Sequence, residues 1–291
     1  MDDQQIIVIL VIIKAIILGL VCVASCLYAI PLIFIPRFHN PLHLLTLNVC
    51  VAAFMCAAFC GIYFIMTTFY FDVFLTEASC LPIIFTQTTV VCQVLYALCM
   101  VSLNRLFIVV YRNKVFFQNK IWIAICISTQ WIFVTLIALP TLRSSLWHCL
   151  VSGLELNYQI YVLIIIGVIP AILLIITNGI IFISARKSTQ RVQPMNGDRT
   201  TTSSFTQRDV RLLKHMVFIF AVFFCGWVPM FIIAVIDYND DAIPYVVLHG
   251  LQILPCLSLL TDIIDLFIYN HELRRYLTRQ SQNEVINIRT K

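Results

Sequence analysis

The sequence predicts an all-α membrane protein: a bundle of seven membrane-crossing helices followed by a short amphipathic eighth helix. Three observations carry the prediction. Of the 291 residues, 61% are hydrophobic and 11% charged, with mean hydropathy +0.95, whereas soluble domains carry about a quarter charged residues. The apolar residues are gathered into seven runs, each long enough for the ~20-residue helix that crosses ~30 Å of hydrocarbon. Basic residues fall in alternate connections rather than evenly, as they do in multi-pass chains. No repeat, low-complexity tract or second soluble composition interrupts the pattern, so 1–291 reads as a single membrane domain.

The expected spans are 5–35, 42–70, 82–111, 120–140, 157–185, 211–236 and 243–268. The first lies behind Asp2 and Asp3, is too long for a removable secretory signal and has no small-residue cleavage pattern after it. Lys14, in its outer third, is expected to snorkel outward. After the seventh span, "YNHELRRYL" places Tyr269, Leu273, Tyr276 and Leu277 on one side and Arg274, Arg275 and Arg279 on the other. That is the pattern of an interfacial helix within 269–291, lying along the inner leaflet.

Seven spans put the termini on opposite sides. Of the 19 Lys and Arg, all but Lys14 and Arg143 lie after odd-numbered spans or at their ends. The positive-inside bias therefore places the N-terminus outside and the C-terminus in the cytoplasm. Asp2, Asp3, Asp72, Glu77, Glu155, Asp237, Asp240 and Asp241 then fall on the outer face. The net charge of +5 becomes an inner-surface feature suited to anionic lipid, not a nucleic-acid footprint. The longest connection, 186–210, is cytoplasmic and polar and reads as a flexible linker. A sharper reading adds phosphorylation of Thr200–Ser204 beside neighbouring arginines.

Ten of the 12 cysteines lie inside apolar runs. The four-residue spacings Cys22/Cys26 and Cys56/Cys60 have no His or carboxylate beside them, so packing rather than a metal site is expected. Cys80 and Cys149 both face the outer, oxidising side, where a bridge would pin the loop "LWHCLVSG" over the mouth of the bundle.

Charges inside spans default to functional candidates because they are costly there. Arg105 lies about 37 Å of helix beyond Cys80, so if one marks the outer surface the other marks the inner. Asp209, on the same side, can pair with it across two helix ends, a partly exposed pair worth about 1 kcal/mol or less. Pro229 removes a hydrogen bond from the sixth span and makes a hinge. Trp227 beside it is either packing or the arm of a lever. Asp262 and Asp265 share a helix face and form either a solvated edge or an inward-facing acidic pair.

These residues together resemble the rhodopsin-like (class A) G-protein-coupled receptors over nearly the whole chain. "SLNRL" is similar to the family's Asp-Arg-Tyr motif, with Arg105 kept, Asn104 for the acid and Leu106 for the Tyr. "FFCGWVP" resembles Phe-x-x-Cys-Trp-x-Pro, with Phe223, Trp227 and Pro229 in place and Gly226 at the Cys position. Asn48 matches the second helix, Trp131 and Pro140 the fourth, and Pro170 the fifth. Cys80 and Cys149 stand where the family has its outer disulfide, and Asp209 where many members carry the acid that pairs with the motif arginine. Ala53 replaces the second-helix Asp, "TDIID" replaces Asn-Pro-x-x-Tyr, and Asn178 stands near the usual fifth-helix Tyr. These departures put the usual internal sodium site in doubt.

The resemblance implies a non-enzymatic plasma-membrane receptor, without cofactor, that binds an extracellular peptide or small molecule and promotes nucleotide exchange on a heterotrimeric G protein. It places the ligand pocket among Tyr63, Gln87, Val91, Trp227, Phe231, Tyr245 and His249. Gln87 stands where amine receptors carry an Asp, so a protonated amine is not indicated. The rim acids Asp237, Asp240 and Asp241 suit a basic peptide and the apolar lining an uncharged small molecule, and the sequence leaves both open. The competing reading from the residues is a seven-helix transporter or channel using Asp262 and Asp265, although these acids crowd at one end rather than lining a path. A third is a heptahelical protein that no longer couples and only dimerises.

Overall fold

A computed structural model describes residues 3–36, 41–110, 119–143, 156–191, 202–237, 243–270 and 273–276. The described residues form helices and their connections, with no strand among them. Among the described residues, seven helical segments are long and apolar enough to cross a membrane: Asp3–Phe34, His43–Phe69, Ser79–Ile108, Lys120–Leu142, Leu156–Ser184, Val217–Ile236 and Tyr245–Ile268. The chain is a multi-pass membrane protein. Its spans are numbered in that order, and the two ends of the bundle are called the N-terminal face, where the first span begins, and the C-terminal face.

The first span is apolar all round, so hydropathy marks the crossing but not the buried side. Its inward stripe is Val11, Lys14, Leu18, Val21, Ser25, Tyr28 and Leu32, at three- and four-residue steps. Between them Ile16, Leu20, Val23 and Leu27 point outward, each more than half exposed, which costs nothing against lipid tails. The inward stripe is where the polar residues gather. In the second span Ala52, Ala53, Cys56, Ala57 and Cys60 are buried, and these small side chains let neighbouring backbones approach. The third span is the axis of the bundle: every residue from 90 to 99 is buried.

Local chemistry sets several helix ends. Asn119 caps the fourth span by accepting the Ile121 N–H at 3.2 Å. Thr76 and Ser79 cap the third reciprocally: Thr76 Oγ1 accepts the Ser79 N–H and Ser79 Oγ accepts the Thr76 N–H. A four-residue helical turn, Phe71–Phe74, links the second and third spans. The fifth span contains a π-helical stretch, Leu163–Val168, immediately before Pro170. Widening the turn relieves the clash of the proline ring with the backbone before it. The Ile165 carbonyl in this stretch takes the hydroxyl of Tyr96 at 3.1 Å, tying the fifth span to the third.

The seventh span is broken into Tyr245–Leu251 and Ile253–Tyr269. The cause is Pro255, whose ring crowds the Leu251 carbonyl four residues earlier. Sixth and seventh spans meet closely at Gly226, where Ser258 Oγ donates to the Val222 carbonyl at 3.1 Å. A four-member polar chain joins spans two to four. Trp131 Nε1 donates to Asn48 Oδ1 (2.9 Å), Asn48 Nδ2 to Gln130 Oε1 (2.7 Å), and Gln130 Nε2 to Gln93 Oε1 (2.8 Å).

Two boundaries differ from expectation. The fifth-span helix runs on to Arg191 and the sixth begins at Thr202, so helix occupies both ends of the connection expected at 186–210. Hydropathy reads the apolar part of a helix, and polar turns that project beyond the membrane carry no such signal. Residues 192–201, with Thr200, lie outside the described residues, and so do the side chains of 202–204. Beyond the seventh span, Asn270 Oδ1 accepts the Leu273 N–H at 3.1 Å and its Nδ2 donates to Tyr28 Oη at 2.8 Å. Residues 273–276 form a helical turn with Leu273 buried and Arg274 and Arg275 exposed. The rest of the expected eighth helix, including Leu277 and Arg279, lies outside the described residues.

Candidate functional site

Two cavities lie at different depths of the bundle. The larger, about 140 Å³, is toward the N-terminal face and is walled by spans two, three, five, six and seven, with Leu18 from the first. Tyr63, Gln87, Val91, Trp227, Phe231, Tyr245 and His249 all line it. Tyr63 is held by aromatic contacts with Phe59, Phe64 and Phe74, the last from the short 71–74 turn. Thr88 and Tyr158 share a hydroxyl–hydroxyl hydrogen bond of 3.0 Å across the third and fifth spans. The sequence reading missed Tyr158 and Gln159 on the fifth span and Gln252 on the seventh. Each is a polar residue within or at the edge of an apolar run, which was the available signal.

Lys14 corrects an expectation. Rather than snorkelling outward, it is fully buried. Its Nζ lies 3.0 Å from His249 Nδ1, donates to Gln252 Oε1 at 2.6 Å, and sits 4.1 Å from the centre of the Phe64 ring. Two acceptors and a ring face from the second and seventh spans replace the water it gives up. The broken seventh helix brings that acceptor pair to the first span at the depth of Lys14.

The smaller cavity, about 40 Å³, lies toward the C-terminal face and is lined by Ser102, Arg105, Phe223 and Leu266, among others. Arg105 Nη1 is buried without a hydrogen-bond partner among the described residues, as are both amide atoms of neighbouring Asn104. The side chain of Asp209 lies outside the described residues. Between the cavities the sixth span carries an aromatic ladder. Phe223 stacks on Trp227 (centroids 5.5 Å, planes 11° apart), and Trp227 on Phe231 (6.2 Å, 19°). Phe223 lines the smaller cavity, Trp227 and Phe231 the larger, and Pro229 lies within the ladder.

Asp262 and Asp265 are buried, so they face inward rather than forming a solvated edge. Both Asp262 carboxylate oxygens lack a hydrogen-bond partner among the described residues. Neither acid lines either cavity. Cys80 is disulfide-bonded, whereas the other described cysteines are free; Cys149 lies outside the described residues. No group of three or more His, Cys, Asp or Glu suited to a metal occurs among the described residues.

Seven apolar spans packed about a buried third helix, with the larger cavity on one side of Pro229 and the Arg105 cavity on the other, make a heptahelical bundle. The chain belongs to the 7 transmembrane receptor (rhodopsin family), whose pattern it matches over residues 19–269. By class it is therefore a receptor of the G-protein-coupled type. No curated protein matches it in sequence.

Proposed function

We propose that the protein is a plasma-membrane receptor, with its N-terminal face outside, that binds an extracellular ligand in the larger cavity and promotes nucleotide exchange on a heterotrimeric G protein. The observation that carries this reading is the ladder Phe223–Trp227–Phe231. Successive rungs one helical turn apart join the wall of the ligand cavity to the wall of the cavity holding Arg105.

A ligand that presses on Phe231 and Trp227 favours a different rotation of the sixth span about Pro229, where the missing backbone bond makes bending cheap. Phe223 moves with it and opens the cavity around Arg105, which is then released to meet the G protein. This is a population shift between two packings, not catalysis by the receptor. Asp209 is the proposed resting partner of Arg105. Cys149 is the proposed disulfide partner of Cys80.

Nucleotide loading of purified G protein by receptor vesicles tests the reading, with Arg105→Ala and Asp209→Ala compared to wild type. Arg105→Ala is expected to abolish stimulated loading and Asp209→Ala to raise loading without ligand. If neither substitution changes loading and the vesicles conduct ions instead, the receptor reading is wrong and a transport role for Asp262 and Asp265 replaces it.

A further inference from the structure

We propose that Lys14, His249 and Gln252 form the head-group subsite of the larger cavity, and that the ligand it takes is a small amphipathic acid, an apolar tail carrying a free carboxylate. The inference deepens the receptor reading and rests on the larger cavity being the ligand site.

Lys14 stands behind the cavity wall, while its partners His249 and Gln252 are part of that wall. A charged ammonium has three donors and no lone pair. His249 Nδ1, 3.0 Å away, must therefore be the acceptor, which puts the ring proton on Nε2. The Gln252 oxygen is likewise taken by Lys14, leaving its amide nitrogen with two donors. Neither remaining nitrogen has a hydrogen-bond partner among the described residues. Lys14 thus turns both residues donor-side out, and backs them with a full positive charge.

Among the described residues that charge has no counter-ion. Its neighbours are a neutral ring, a neutral amide and an aromatic face, and no carboxylate touches it among the described residues. A wall of N–H donors polarised by a buried cation is satisfied best by an anion, because charge-assisted bonds are the strong ones. His249 and Gln252 are three residues apart and so lie on one side of the seventh span, which suits the two oxygens of a carboxylate. An amine or other cationic head group has the wrong sign and leaves the ammonium uncompensated. Asp237 also lines the cavity, from the sixth span, and is already engaged by another residue.

The rest of the wall sets the tail. Leu18, Ile84, Val91, Val162, Ile166 and Leu259 offer apolar surface and no charge. At about 140 Å³ the cavity is below the ~300–1,000 Å³ common for drug-sized ligands. That volume suits a short apolar tail. Lys14 is fully buried, so phospholipid head groups do not reach it from outside the bundle.

Equilibrium binding of radiolabelled octanoate to the full chain in phosphatidylcholine nanodiscs, with empty discs subtracted, tests the subsite without any G protein. Octanoate is expected to bind saturably and about tenfold or more tighter than octanol, the difference made by the charge-assisted contacts, with octylamine failing to compete. Lys14→Met should abolish the preference for octanoate over octanol, and saturable octanol binding that persists in the variant shows the cavity is still folded. Binding should be the same in phosphatidylglycerol discs. No saturable octanoate binding, equal binding of octanol, an acid preference that survives in Lys14→Met, or displacement by phosphatidylglycerol each overturns the assignment. The wild-type series of acid, alcohol and amine decides the matter even if the variant does not fold. Saturable acid binding by a protein that drives no nucleotide exchange would sink the receptor reading and leave this subsite standing.

Discussion

Gly226→Ala tests how the sixth and seventh spans are held together. A Cβ at residue 226 would lie 2.5 Å from Ser258 Cβ, 3.0 Å from its Oγ and 3.1 Å from the Leu254 carbonyl oxygen. Carbon atoms rest about 3.5–4.0 Å apart, so the methyl overlaps Ser258 by about 1 Å, and neither Cβ can retreat without its backbone. Overpacking of this kind costs about 1–3 kcal/mol. Pushing the helices apart also strains the 3.1 Å bond from Ser258 Oγ to the Val222 carbonyl, worth about 1 kcal/mol. The family residue at this position, Cys, is larger still, so "FFCGWVP" departs from the pattern for a packing reason. Thermal unfolding of Gly226→Ala, Ser258→Gly and the double variant in nanodiscs measures the contact. The double variant should be less destabilised than the sum of the singles, with a coupling of about 1 kcal/mol or more. A wild-type midpoint for Gly226→Ala, or simple additivity, would refute the close approach.

Three other outcomes follow from the same geometry. Gln130→Leu strands Asn48 Nδ2 and Gln93 Oε1 inside the bundle and is expected to cost about 1–3 kcal/mol for each group left unpaired; a midpoint equal to wild type would contradict the network. Asn104→Asp places a carboxylate beside Arg105, whose Nη1 now lacks a partner among the described residues, and should lower ligand-independent nucleotide loading, read with purified G protein. Intact mass after alkylation without reductant should show Cys80 protected, and protection of Cys149 in the same molecule identifies it as the proposed partner.

The spans were legible because a membrane makes a simple demand of a sequence: about 20 apolar residues per crossing, met seven times here. The faces were less so. In the first span apolar residues cover every side, and what picks the buried stripe is the match of Lys14 and Tyr28 to polar groups on the seventh span and at its end. Such pairings join residues more than 200 positions apart, as Lys14–His249 and Tyr28–Asn270 do, and no local pattern announces them. The landmarks of the resemblance carried the cavity residues on spans two, three and six, where motif residues fix the register. The fifth span lacked such an anchor near its start, and Tyr158 and Gln159 went unrecognised. Lys14 was misread because snorkelling is the usual fate of a lone membrane lysine, and its two acceptors become visible only when the seventh helix breaks at Gln252.

In the proposed receptor the sixth span is a lever on Pro229 that couples the larger cavity to the one holding Arg105. The distance between spin-label amino acids at Val110 and Val217, both exposed toward the C-terminal face, tests it most directly. Double electron–electron resonance in nanodiscs should show that distance lengthen when nucleotide-free G protein binds, and Pro229→Ala should reduce the change. A distance distribution that G protein leaves unaltered would contradict the claim.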